Sequence, residues 1–177
     1  RVLFRSFKAK KGQTIAVIGS TGSGKSTLIN LIPRYYDVTK GSVKVDGVDV
    51  RDMTQKELRD KLGYVPQKGV LFSGTIDSNI RYGKPEITDA QVKEAAEVAQ
   101  ATEFIDTKPE KYKSPVSQGG TNVSGGQKQR LSIARAIVKD PEIFIFDDSF
   151  SALDFKTDSQ LRKALKEYTK DADRKST

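Results

Sequence analysis

An α/β fold with a mostly parallel sheet follows from three features of this chain. Short apolar runs alternate with segments of helical periodicity along most of its length. A glycine-rich octapeptide, Gly19-Ser20-Thr21-Gly22-Ser23-Gly24-Lys25-Ser26, falls between an apolar run and a helix start. A second apolar run, Ile143-Phe144-Ile145-Phe146, ends directly in Asp147-Asp148. All 177 residues are read as one domain.

The run Thr14-Ile15-Ala16-Val17-Ile18 predicts a buried strand, and Ser26-Thr27-Leu28-Ile29-Asn30-Leu31 predicts the helix that follows the octapeptide. Upstream, Phe7 is expected to face the core of an opening strand. Residues 35–41 read as a turn. Ser42-Val43-Lys44-Val45 alternates as a half-buried strand, Asp46-Gly47 signals a hairpin, and Val48-Asp49-Val50 returns, so an antiparallel patch is expected here. A short helix over 54–59 leads to the strand Leu62-Gly63-Tyr64-Val65, stopped by Pro66. Residues 88–101 predict a helix: Thr88 and Gln91 form a capping box, with Val92, Ala95, Ala96 and Ala99 at helical spacing. Residues 109–118, with two prolines and many polar groups, read as a loop. Ser124 opens a helix running through Ala136-Ile137-Val138, and Thr157 and Gln160 are expected to cap a last helix carrying Leu161, Ala164 and Leu165.

Composition excludes several classes. The chain has no cysteine, so it forms neither disulfides nor thiolate metal sites, and a reducing setting fits. Its longest apolar runs are about four residues, far below the ~20 that span a bilayer. The net charge of +8 reads as a solvated surface with basic ends. No Lys/Arg run is interleaved with aromatics, so no nucleic-acid partner is expected.

The octapeptide is G-x-x-x-x-G-K-[ST]. Its glycines let successive backbone N–H groups face one anion at a helix N-terminus. Lys25 adds a point charge for the β- and γ-phosphates, and Ser26, followed by Thr27, offers a hydroxyl to Mg²⁺. A nucleoside triphosphate is therefore the expected ligand. The needed second half is a carboxylate at the end of a buried strand. Asp147 is the candidate to hold Mg²⁺ beside Ser26, and Asp148 the candidate general base or water-orienting group. A further glycine-rich helix start, Ser124-Gly125-Gly126-Gln127, presents free N–H groups to an anion. Two such tips in one chain suggest two chains sharing a nucleotide.

The stretch from Val123 through Ala136 resembles the signature motif of ATP-binding-cassette (ABC) ATPases, with Val123 where leucine is usual. Tyr64-Val65-Pro66-Gln67 resembles the Q-loop, whose glutamine contacts Mg²⁺ or the water and moves against a membrane domain. Ser151-Ala152-Leu153-Asp154 resembles the D-loop that crosses the dimer interface. Gly69-Val70-Leu71-Phe72-Ser73-Gly74-Thr75-Ile76, Asn79-Ile80-Arg81-Tyr82-Gly83 and Gln118-Gly119-Gly120 resemble the exporter subclass. The resemblance covers residues 11–168. It implies a P-loop NTPase core with a helical subdomain over about 75–138 that carries the signature. It also implies ATP and Mg²⁺ as cofactors, with catalysis resting on Asp148, Gln67 and Lys25, and Ser26, Gln67 and Asp147 at the metal. Its nucleotide contacts are residues 19–27, with Ser124, Gly125, Gly126, Gln127 and Asp154 acting on a partner's nucleotide. A second nucleotide-binding domain and a transmembrane domain, the latter N-terminal in the same polypeptide, are the implied partners. The implied place is the cytoplasmic face of a membrane.

The chain departs from the family pattern in three places. It contains no histidine, so the switch histidine is missing, and a piece ending here is expected to hydrolyse ATP poorly on its own. The adenine-stacking aromatic falls before Arg1, and neither Phe4 nor Phe7 takes that role. Asp148 stands where glutamate is usual, as in the slow site of heterodimeric exporters. A degenerate-site partner in a heterodimer is the favoured expectation, and an active homodimer the alternative. Soluble relatives acting on DNA carry a long coiled coil between Q-loop and signature, whereas here Gln67 and Ser124 are about 57 residues apart without heptads. A ribosome-binding relative suits the positive charge but not the exporter-like stretch, and a nucleotide kinase would lack the Ser124 element.

Overall fold

The computed structural model describes residues 6–175, with side chains through residue 169; Phe4 lies outside them. The centre of the fold is a parallel pair, β3 (Leu62–Val65) and β6 (Ile143–Phe146), in register from Leu62 opposite Ile143 to Val65 opposite Phe146. Its side chains alternate between two hydrophobic clusters, as the two-residue period of a strand demands. Ile143, Ile145, Leu62 and Tyr64 join Val45, Val50 and Leu58 on one side. Phe144, Phe146 and Val65 face the larger cluster on the other, built around Leu131, Ile133 and Ile137 of α6 (Gly125–Val138). Those three side chains are fully buried, each stabilising the fold by about 1.5–3 kcal/mol.

Helix α1 (Lys25–Asn30) follows the glycine-rich loop. The expected hairpin is present as β1 (Lys44–Val45) and β2 (Val48–Asp49), with Asp46 and Gly47 both at positive φ, the turn that suits the strand twist. Helix α2 (Gln55–Asp60) begins with a full Thr54–Glu57 capping box. Beyond β3, a second antiparallel pair joins β4 (Gly74–Thr75) to β5 (Pro115–Val116). Between them lie α3 (Ile76–Ile80), α4 (Asp89–Val98) and α5 (Thr102–Asp106). The Thr88–Gln91 and Ser124–Gln127 boxes open α4 and α6, and α7 (Phe155–Lys175) closes the described chain.

Four expectations are corrected. Residues 14–18 form no strand, and Ile15, Val17 and Ile18 are 45%, 38% and 92% exposed. A strand buried on both faces takes its ladder from flanking strands, and among the described residues none pairs with this run. Phe7, expected in the core, is 62% exposed for the same reason: among the described residues no opening strand carries it inward. The loop over 109–118 contains β5. The cap of α7 is Asp154, whose carboxylate accepts from the Thr157 N–H at 2.9 Å, with the Thr157 hydroxyl donating to it as well. Asp154 precedes the first helical residue, where a short acceptor reaches the free N–H groups; Thr157 already lies inside the helix.

Candidate active site

The glycine-rich loop curls because Gly22 and Gly24 sit at φ 80° and 87°, a left-handed conformation that strains other residues. Gly24 is the residue immediately before α1. Lys25 folds back over the loop, its Nζ donating to the carbonyl oxygens of Gly19 and Ser20 at 2.8 Å each. The ammonium is thus fixed across the mouth that residues 19–24 make.

The two halves of the predicted site meet across 121 residues of sequence. Ser26 Oγ donates to Asp147 Oδ1 at 2.8 Å. Asp147 is 8% exposed, and its N–H donates to the Val65 carbonyl, extending the parallel ladder one residue past the strand. Two hard oxygen donors at that spacing match the edge of an Mg²⁺–oxygen octahedron, about 2.9 Å for ~2.05 Å bonds. The residues therefore fit this ion. Asp148 is turned the other way: it is exposed, at φ 47°, and its Oδ2 accepts from Gln67 Nε2 at 3.1 Å. Asp148 and Gln67 are thereby joined, beside but apart from the Ser26–Asp147 pair.

Four further residues hold this arrangement. The Tyr64 hydroxyl donates to Asn30 Oδ1 at 3.0 Å and lies 3.4 Å from Asp147 Oδ2, tying α1, β3 and β6 together. Burial and the Asp147 charge push the Tyr64 phenol up to about 12, so it stays a donor at neutral pH. Ser149, fully buried, donates to the Val65 carbonyl at 2.8 Å. Gln129, 1% exposed, donates from Nε2 to the Pro66 carbonyl at 3.0 Å. Sequence reading missed all four, since a polar residue in a helix or after a strand carries no local sign of a long-range partner.

The Ser124-Gly125-Gly126-Gln127 turn is self-capped: Ser124 Oγ accepts from the Gln127 N–H at 3.2 Å, and Gln127 Oε1 from the Ser124 N–H at 3.1 Å. Gly126 lies against Ala152 and Leu153. Among the described residues no hydrogen bond joins this turn to residues 19–26. The structure brings Lys25, Ser26, Gln67, Asp147 and Asp148 into one neighbourhood and sets the 124–127 turn beside the 151–154 turn.

A family model described as ABC transporter matches residues 5–151. The chain belongs to the ABC transporter family. The fold is that of an ABC ATPase domain, with the α/β core and parallel pairing of P-loop NTPases. An uncharacterized ABC transporter ATP-binding protein of Mycobacterium tuberculosis is 49% identical, across 94% of this chain and 29% of its own length. The putative multidrug export ATP-binding/permease protein YgaD of Bacillus subtilis is 46% identical, across 94% and 29%. Among solved structures, a bacterial Atm1-family ABC exporter with ATP bound superposes at a TM-score of 0.88, with 40% identity over 92% of this chain and 28% of that one. The chain therefore spans less than a third of the length of these ABC proteins. Among the described residues no helix is long and apolar enough to cross a membrane.

Proposed function

We propose that this domain binds and hydrolyses ATP as the motor of an ABC exporter, working head to tail with a second nucleotide-binding domain. Lys25 and the loop N–H groups of residues 19–24 hold the phosphates, and Ser26 with Asp147 holds the metal. Mg²⁺ when bound neutralises phosphate charge and fixes its orientation. Asp148, steered by Gln67, orients the attacking water and takes its proton. Ser124, Gly125, Gly126 and Gln127, with Asp154 behind them, complete the partner's site rather than their own, while the partner's equivalent turn completes this one.

The observation that carries the reading is the self-capped 124–127 turn, which has free helix-tip N–H groups and no hydrogen bond to its own phosphate loop. The helical elements over about 75–138 act as a subdomain that presents this tip. The stroke leaves through the Gln67 segment, next to which Val70, Phe72 and Tyr82 are 52%, 40% and 53% exposed. That apolar patch suits a helix of the transmembrane part, which lies N-terminal in the same polypeptide, with this domain at the cytoplasmic face of the membrane. Asp148, one methylene shorter than glutamate, makes this the slow site of a heterodimer.

These 177 residues contain no cysteine, so once any cysteine elsewhere in the polypeptide is replaced, engineered pairs report contact cleanly. With Ser23→Cys in one subunit and Ser124→Cys in the other, in the full-length polypeptide, oxidation should link different subunits, and do so only with Mg·ATP. A link within one chain, or equal linking without nucleotide, would overturn the reading.

A further inference from the structure

Arg135 is a part-buried cation with no carboxylate partner among the described residues. It lies in the third turn of α6, and its guanidinium bonds to backbone carbonyls and one amide. Nε donates to the Asn79 carbonyl at 2.8 Å, Nη1 to the Val70 carbonyl at 2.8 Å, and Nη2 to Asn79 Oδ1 at 2.9 Å. Its charged carbon stands 5.2 Å from the Phe72 ring centre and 5.6 Å from that of Tyr82, and those two rings stack at 4.2 Å. Among the described residues no carboxylate pairs with it. Burial pushes its pKa down. Asn79, 1% exposed, is itself saturated: Oδ1 accepts from the Phe72 N–H and Nδ2 donates to the carbonyls of Phe72 and Thr75.

Burying an unpaired cation is unfavourable, and an apolar residue of similar volume would fill this space with less penalty. What an apolar residue lacks is the rigid fork that reaches three oxygens on two separate segments at once. The same segment is fastened to α6 twice more. Gln129 holds the Pro66 carbonyl, and Gly69 lies so close to the helix that a Cβ there would meet the Lys128 carbonyl group at 2.8 Å. Residues 66–72 therefore follow α6, whose N-terminal tip is Ser124.

We propose that Arg135 is a positioning residue: it clamps Val70, Phe72 and Asn79 to the signature helix, so that the exposed aromatic patch and the Ser124 tip move as one piece. Force on the patch is then delivered to the partner's nucleotide, and the clamp sets how strongly transport substrate or the membrane part stimulates hydrolysis. This rests on the motor reading above.

The test uses the full-length transporter in lipid vesicles. Arg135→Lys keeps the charge but has no planar fork to reach three oxygens. Basal ATPase and KM for ATP should stay within about twofold of the parent, while stimulation by transported compound or by vesicle reconstitution falls at least fivefold. Arg135→Ala should lose stimulation equally. Retained stimulation in both variants overturns the clamp. Absence of basal activity in the parent would instead reject the motor reading, so the two failures are distinct. Should Arg135→Ala not fold, hydrogen exchange on the parent decides: peptides spanning 68–74 and 125–137 should gain and lose protection together on ATP addition. Independent changes in the two peptides overturn the proposal.

Discussion

Replacing Asp148 with glutamate probes the proposed division of labour most directly. The extra methylene carries the carboxylate outward by about one C–C bond, ~1.5 Å. A misplacement of ~1 Å at a catalytic group can cost about 10²-fold in rate, which corresponds to ~2.7 kcal/mol of barrier. The opposing effect is conformational. Residue 148 has φ 47°, where aspartate is better tolerated than glutamate. That left-handed strain amounts to ~1–2 kcal/mol for an ordinary residue, and aspartate already bears part of it. It is present in both the ground and the transition state, so it lowers stability and leaves the barrier alone. Gln67 makes its 3.1 Å bond from a flexible, exposed side chain and can follow the new carboxylate. With the partner's catalytic base neutralised so that only this site turns over, Asp148→Glu should raise kcat by tenfold or more with little change in KM. Asp148→Asn should abolish that turnover. An unchanged kcat in a variant that melts normally would refute the reasoning. It would show that the aspartate already stands at its working distance, and an active homodimer would then be the better description.

Other expectations follow from single contacts. Tyr64→Phe removes the hydroxyl that reaches Asn30 and approaches Asp147; ATP affinity measured by calorimetry should weaken by about tenfold with Mg²⁺ present and be nearly unchanged in EDTA. Gly24→Ala puts a Cβ on a residue at φ 87°, which should cost about 1–2 kcal/mol of local strain and lower nucleotide affinity accordingly. Asp154 has its pKa held below 3.8, first by the Thr157 N–H and then by the Thr157 hydroxyl. Its contribution is therefore fully present above that value and lost as pH falls through the lower folded value. Asp154→Asn, still a good cap, should flatten the acid limb of the unfolding profile while leaving α7 helicity at pH 7 intact by circular dichroism.

What could be read in the residues, and what could not, divides by the range of the interaction. Capping signals are local: the Thr88–Gln91 box formed where its spacing placed it and Ser124 opens α6 as expected, whereas the Thr157–Gln160 cap gave way to Asp154, one turn earlier. The Asp46-Gly47 hairpin is local too. The pairing of Ser26 with Asp147 was legible because each half carries its own signal, a loop motif and a strand ending in acid. Residues 14–18 misled because an apolar run states only that burial is favourable, while a parallel strand also needs neighbours on its hydrogen-bonding edges. Strands β4 and β5 are two residues each, too short for any period to show. Gln129 and Arg135 look like the polar face of an amphipathic helix; that both point inward depends on carbonyls more than 55 residues away, at Pro66, Val70 and Asn79.

The site's chemistry depends in the end on a register. Strands β3 and β6 are parallel, so their carboxyl ends reach the same edge, and Val65 lies opposite Phe146. On β3 the next residue, Pro66, has no N–H with which to continue the ladder. Asp147 continues it by one bond to Val65 and stays buried with its carboxylate toward Ser26. Asp148 then leaves the extended conformation, turns outward and meets Gln67. Shifting β6 by one residue would exchange the faces of its side chains, bringing Phe144 and Phe146 to the second cluster and exposing the carboxylate that now faces Ser26. The apolar alternation of Ile143-Phe144-Ile145-Phe146 between two cores forbids that shift. The packing that stabilises the domain is thus also what separates an aspartate turned toward Ser26 from one turned toward Gln67, although the two are adjacent in the chain.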